Sequence, residues 1–516
     1  MLSKSELQSY LQCPRKLWLE RHHPELADAD DSSSRRREID GNLVGAKARI
    51  QLGEDFLWPP AHDDPALAAE GAKSLLRQSP HLSAAEVPMV HGALYARADA
   101  LVCDADGYIL RETKASSFPL KKDKATPDKP EEHHLVDIAI QAWVMSESGL
   151  PLTRSELNLL NSRWRYPGGG DYAGLFRQMD VTAEIAERLA AVPSWVEAAE
   201  NALGGELPEA RTGKHCHDPY ECPFQGHCGT LDPPPLPHPI ELLPDSAGKG
   251  LAKKLRETKG YVSILEPDAA ELIGKQADLY CRIQAAHRAG EAVLEMASVA
   301  LMNGLPYPRY FFDFEGIDLA VPRWAGVRPY EQIPFQWSCH IERAPGVFEH
   351  AEFLDLSGDD PSLPCIERMR DVIDPDDGCP IFVYFATYER GRLNELAERH
   401  PAYAELVQKY VDRLVDLLPI VRDHFYHPAM QGSFSIKKVL PVVAPDLDYA
   451  GLEGVQEGTA AQVAYIDAAL DPETSPARKA AIDRQLRTYC RQDTWAMVEI
   501  AYFLAQAGRP PRPEGM

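Results

Sequence analysis

From Tyr310 to Gly316 the chain reads Tyr-Phe-Phe-Asp-Phe-Glu-Gly, an aromatic run with acids at alternate positions. Side chains alternate along a strand. The run therefore predicts a buried strand with Asp313 and Glu315 on one face and Phe312 and Phe314 on the other. Cys379–Phe385 reads as a second buried strand, leading into a helix that begins near Thr387 and places Glu389 at its mouth. Gly432–Lys437 opens another helix. Leu486–Leu504 is amphipathic, with Tyr489 and Asp493 one turn apart on one face.

The first half has its own pattern. Ser3–Leu19 carries apolar residues at helical spacing, with Ser3 as cap and Cys13-Pro14 as a break. Leu94–Cys103 and Tyr108–Lys114 read as two strands joined by the turn Asp104–Gly107. His134–Leu150 reads as a helix with Asp137 and Gln141 one turn apart. Asp232–Pro239 is rich in proline and predicts an extended linker. Residues 249–302 read as helices interrupted at Gly260 and Pro267.

At 516 residues the chain exceeds one core and predicts two to four domains. Its net charge of −24 argues against a protein that coats nucleic acid through a global positive field. An acidic enzyme with a local basic groove stays compatible with that charge. No apolar run reaches the length of a membrane span, and the first residues lack the apolar core of a signal peptide. Ten cysteines in such a chain point to thiols and metal rather than to disulfides, and the expected compartment is the cytoplasm.

Two carboxylates on one face of an apolar strand are costly to bury unless a cation neutralises them. A divalent metal would do so, and phosphodiester hydrolysis is a common use of such a site; two solvated acids on an edge strand are the plain alternative. In the 94–114 hairpin a two- or four-residue loop would bring Asp99, Glu112 and Lys114 to one face, as metal ligands and a phosphate-facing lysine or as a surface salt bridge. Lys121, Lys122, Lys124 and Lys129 follow as a basic loop able to meet a phosphate backbone. Cys216, Cys222 and Cys228 fall in a loop with Pro and Gly, a spacing that suggests metal. Zinc could recruit His215, His217 or His227, whereas an iron–sulfur cluster would want a fourth thiolate, for which Cys13 is available.

Cys13-Pro14-Arg15-Lys16, Asp99, Glu112-Thr113-Lys114, Gln141 and the cysteine triplet together resemble the Cas4/RecB-like branch of the PD-(D/E)XK nucleases. The resemblance implies Asp99 and Glu112 as metal ligands, Lys114 as catalytic lysine and Gln141 beside them. It also implies Cys13, Cys216, Cys222 and Cys228 as ligands of a [4Fe–4S] cluster. The branch often has a histidine in an early helix, absent here from Gly41–Ala46, so Glu86 is a further candidate ligand. Asp313-x-Glu315, Glu389 and Tyr489-x3-Asp493 resemble the tyrosine subclass of DEDD exonucleases, which have an RNase H-like fold and act on 3′ ends with two divalent metals. There Asp313, Glu315, Glu389 and Asp493 would bind Mg²⁺ or Mn²⁺, and Tyr489 would orient or help deprotonate the attacking water. Glu389 stands where that family usually has aspartate, and Phe385 where it often has asparagine. Pro329–Gln336 and Tyr489–Thr494 also resemble the DUF2779 family, whose members often pair this domain with a RecB-like one.

The expected fold is α/β throughout: a PD-(D/E)XK nuclease domain with an iron–sulfur cluster over residues 1–230, a linker and helical connector over 231–305, a DEDD-type 3′–5′ exonuclease domain over 306–508, and a tail over 509–516. The expected activity is metal-dependent hydrolysis of nucleic acid, DNA in preference to RNA and single-stranded or end-bearing, in genome maintenance or defence against foreign DNA. The alternatives are a silent nucleic-acid-binding scaffold with a structural zinc or iron–sulfur site, or a protein with one live nuclease site.

Overall fold

The computed structural model describes residues 1–516 except 30, 31, 122–125, 235, 448, 450 and 513–516. Lys122 and Lys124 of the basic loop lie outside the described residues. The chain divides into two compact units, one of residues 1–233 with 318–331, the other of 234–317 with 332–516. Residues 234–305, read above as a connector, pack as part of the second unit.

In the first unit Ser3 caps the helix Lys4–Gln12: its Oγ accepts from Glu6 N at 3.2 Å, and Glu6 Oε2 accepts from Ser3 N at 2.7 Å. Pro14 then starts the second helix, Pro14–His22, leaving the buried Cys13 at the joint. The strands Leu94–Asp104 and Gly107–Ser117 pair antiparallel from Ala100↔Arg111 to Asp104↔Gly107, so only Ala105 and Asp106 lie outside the ladder. The six-stranded sheet runs Leu2–Ser3, Leu94–Asp104, Gly107–Ser117, Leu152–Leu160, Phe176–Asp180, with Ala84–His91 paired to Leu94–Asp104. The helix Glu132–Glu147 packs its buried Leu135, Ile138, Ala139 and Ala142 into the core of this sheet.

In the second unit a five-stranded sheet runs Val347–Leu354, Gln332–Ala344, Arg309–Asp318, Ile381–Val383, Leu414–Asp416. Tyr310, Phe312 and Phe314 enter one apolar core with Trp337 and Ile381. Phe311, on the opposite face, stacks on Phe382 with ring centroids 4.9 Å apart. The face of Phe311 is also that of Asp313 and Glu315. The last helix is longer than its amphipathic stretch suggests and spans Pro476–Leu504. It is fixed to the strand Gln332–Ala344 by polar contacts: Gln336 Nε2 donates to Leu486 O at 2.9 Å, and Thr494 Oγ1 lies 2.9 Å from Ser338 Oγ and 2.8 Å from His340 Nδ1. Thr494 follows Asp493, so these contacts set the height at which Asp493 meets the sheet.

Candidate metal centres

The second unit holds a cavity of about 430 Å³ lined by Asp313, Glu315, Glu389 and Asp493, with Tyr489 and Lys437. Period-two alternation brings Asp313 and Glu315 to the same side of the central strand, and the C-terminal helix lays Asp493 against them. Ligand oxygens of Asp313, Glu315 and Asp493 all lie within 4.8 Å of one another. Gly316 allows close approach here, because a Cβ would stand 2.7 Å from Gln332 Oε1 and 3.0 Å from Tyr388 Oη.

Glu389 arrives from a different direction. The strand Ile381–Val383 is shorter than the sequence suggests, and the helix Ala386–Arg399 starts just after it, with Glu389 in its first turn and only 1% exposed. Between strand and helix Phe385 is held at φ 78°, ψ 63°, a left-handed conformation that costs a side-chain-bearing residue about 1–2 kcal/mol. The Asp416 carboxylate holds it there by accepting from Phe385 N and Ala386 N, both at 2.9 Å. Asp416 also caps the next helix through Leu418 N at 3.0 Å.

Burial lifts all four carboxyls above their ordinary range. Asp313 is pushed well up by burial and by the charges of Asp493, Glu315 and Glu389. Burial and Asp493 push Glu315 up to about 8 against the pull of Lys437. Burial and Asp416 push Glu389 to about 8, and burial pushes Asp493 to about 6 despite hydrogen bonds from Tyr449 and Tyr489. Tyr449 Oη donates to Asp493 Oδ1 at 2.5 Å. Glu389 Oε2 is buried without a hydrogen-bond partner. Such a donor set fits a divalent cation: hard oxygens, crowded and short of positive charge. Burial and Asp493 also push the Tyr489 phenol far up, so it keeps its proton and acts as a donor.

In the first unit Asp99, Glu112, Lys114 and Gln141 are brought together, and Asp137 and Lys4 join them. Lys114 Nζ donates to Glu112 Oε1 at 2.8 Å and also to Asp137. Lys4 Nζ lies 3.2 Å from Glu112 Oε1 and 2.8 Å from Asp137 Oδ1. Gln141 Nε2 donates to Asp137 Oδ1 at 3.1 Å, and Asp99 Oδ2 accepts from Thr113 N at 2.8 Å. Burial and the Glu112 charge raise Asp99 to about 7, whereas Lys114 and Lys4 hold Asp137 well below the usual carboxylate range against the push of burial. Glu112 Oε2 and Gln141 Oε1 have no hydrogen-bond partner. Two lysines thus do here part of what a metal would do. Glu86 is not brought to the group; its carboxylate pairs with Arg49 and Arg97, each at 3.0 Å.

Cys13, Cys216, Cys222 and Cys228 line one small cavity with Arg15 and His215. Burial pushes the Cys222 thiol up to about 11, with Cys216 and Cys13 adding to the rise, and burial raises Cys228 as well. Neighbouring thiols without a disulfide, Cys13 and Cys216 buried and Cys222 and Cys228 half-buried, fit a group that binds them as thiolates.

Lys4, Lys437 and Tyr449 escaped the sequence reading. Lys4 sits inside the capping box of Ser3 and Glu6, a position that by itself gives its side chain no direction.

Residues 310–435 match the family described as Domain of unknown function (DUF2779). No curated protein matches the chain. One solved structure, titled "Crystal structure of SSO0001", is similar over 44% of this chain and 85% of its own at 16% identity, with a TM-score of 0.22. Among the described residues no helix is long and apolar enough to cross a membrane.

Proposed function

We propose that the protein is a metal-dependent nuclease whose principal site is the acidic cavity of the second unit, a DEDD-type centre on an RNase H-like sheet. The observation that carries this reading is the convergence of Asp313, Glu315 and Asp493 within 4.8 Å, with the orphaned Glu389 on the same cavity wall. These four carboxylates would hold Mg²⁺ or Mn²⁺, which when bound supplies charge neutralisation and a more acidic water. Tyr489, protonated and donating its one O–H to Asp493, leaves its oxygen lone pairs to accept from the attacking water and so orient it. Lys437, whose Nζ donates to Gln456 O at 3.0 Å, presents positive charge to the entering phosphate.

The first unit is read as a PD-(D/E)XK-type site in which Asp99 and Glu112 would hold metal and Lys114 faces phosphate. Glu112 and the neighbouring Asp137 are already engaged by Lys4 and Lys114, which is why the second unit ranks first. The four cysteines are read as ligands of a [4Fe–4S] cluster, with zinc as the alternative; what supports a shared metal group is that all four line one small cavity without a disulfide. The substrate is nucleic acid, DNA in preference to RNA.

The test uses labelled single-stranded DNA and RNA with Mg²⁺ or Mn²⁺. Asp313→Ala should lower release of product by about 100-fold or more, and Lys114→Ala should remove any residual endpoint cleavage. Cleavage unaltered by both changes contradicts the assignments.

A further inference from the structure

Phe385 stands at the rim of the acidic cavity, four residues before Glu389, and its side chain lines that cavity. It combines two unfavourable features. Its backbone occupies the left-handed region, where glycine or asparagine would sit without strain, and the residue is 52% exposed although its neighbours Val383 and Ala386 are buried. Neither feature is accidental to the local fold. Both oxygens of the Asp416 carboxylate are committed to the N–H groups of Phe385 and Ala386. Just before it, Tyr384 Oη donates to Phe434 O at 2.6 Å and ties the turn to the loop ahead of Lys437. The strained turn is thus clamped from two sides, and what it holds out is an aromatic ring. Strain maintained next to a buried, unsatisfied carboxylate is a mark of function.

We propose that Phe385 is a substrate-positioning residue: its ring is the platform on which the base of the terminal nucleotide stacks while the phosphate lies among the carboxylates. The inference rests on the nuclease reading of this site and adds the substrate class to it, an unpaired end bearing an intact base. Stacking suits this residue because every base offers a π-face, so the ring selects for an unstacked base without reading its identity. Exposed aromatic surface beside a charged cavity gives both parts of that recognition, phosphate to Lys437 and base to Phe385.

The experiment compares the full-length protein with F385A, F385W and F385N on single-stranded oligonucleotides ending in an ordinary base, in 2-aminopurine or in an abasic residue. Phe385→Asn keeps a residue that tolerates the left-handed turn while removing the ring, so it separates stacking from strain. With Ca²⁺ replacing Mn²⁺, the parent and F385W should quench terminal 2-aminopurine fluorescence, and F385A and F385N should not. With Mn²⁺, F385A and F385N should raise KM for an ordinary end by roughly tenfold or more, leave kcat within about threefold, and leave the abasic end unaffected. Equal quenching and equal KM in parent and F385N, with the parent cleaving normally, overturn this inference and leave the nuclease reading intact. A parent that cleaves none of the substrates overturns both.

Discussion

Asp313→Asn separates the charge of the acidic cavity from its shape. Two ionised carboxylates 4.8 Å apart repel by about 3.5 kcal/mol at an effective dielectric constant of about 20. Three such pairs would sum to about 10 kcal/mol, comparable to the whole stability of a domain. Without metal the cluster therefore keeps protons, and Asp313 is held protonated by burial and by the charges of Asp493 and Glu315. A protonated carboxyl and an amide are nearly isosteric. Metal-free Asp313→Asn should then match the parent's stability within about 1 kcal/mol, a Tm difference of a few degrees at most. Metal reverses the comparison. A cation at 1,000 times its Kd stabilises the folded parent by about 4 kcal/mol, and a variant lacking one ligand charge loses most of that. The assay is thermal unfolding at pH 7.5 in EDTA and in excess Mn²⁺. A variant that matches the parent in EDTA and fails to rise with Mn²⁺ supports the reasoning. One that gains the parent's full Mn²⁺ shift refutes it.

The pH dependence of the metal-free protein follows from the same acids. Glu315 and Glu389 titrate near 8 when folded against an ordinary 4.5, so the folded chain binds more protons between those values and stability falls as pH rises through that window; a Tm that stays level or rises from pH 5 to 8 in EDTA would count against buried, crowded carboxyls. Lys4→Ala leaves Asp137 and Glu112 with Lys114 alone, and removing one partner from this largely buried network should cost about 3 kcal/mol. A cycle with Asp137→Asn should show the two changes to be less than additive, and simple additivity would deny the contact. Cys222→Ser should lower iron and acid-labile sulfide together in anaerobically purified protein, whereas one zinc per chain in the parent would replace the cluster with a zinc site.

How far the sequence reached depended on whether a signal was local. Asp313 and Glu315 were legible because an aromatic run fixes a strand and period two fixes a face. The hairpin register was legible as a parity: with Ala105 and Asp106 alone outside the ladder, Asp99 falls toward Glu112. Asp493 and Tyr489 were readable as one helix face, but their meeting with the central strand depends on Thr494 contacting Ser338 and His340, more than 150 residues away in the chain. Lys437 and Lys4 were not legible at all, because a lysine in a first helical turn usually reaches solvent, and only tertiary packing turns these two toward carboxylates. Glu86 read as a further candidate ligand, and the fold pairs it with Arg49 and Arg97 instead. The strand before Glu389 was overestimated because Phe385 extends an apolar run that the Asp416 clamp ends by backbone geometry.

Anomalous diffraction from crystals soaked in Mn²⁺ tests the central claim most directly. The account predicts a manganese peak within ligand distance of Asp313, Glu315 and Asp493, lost in Asp493→Asn crystals soaked in the same way. Manganese bound elsewhere on the protein, with no peak among these three carboxylates, would contradict it.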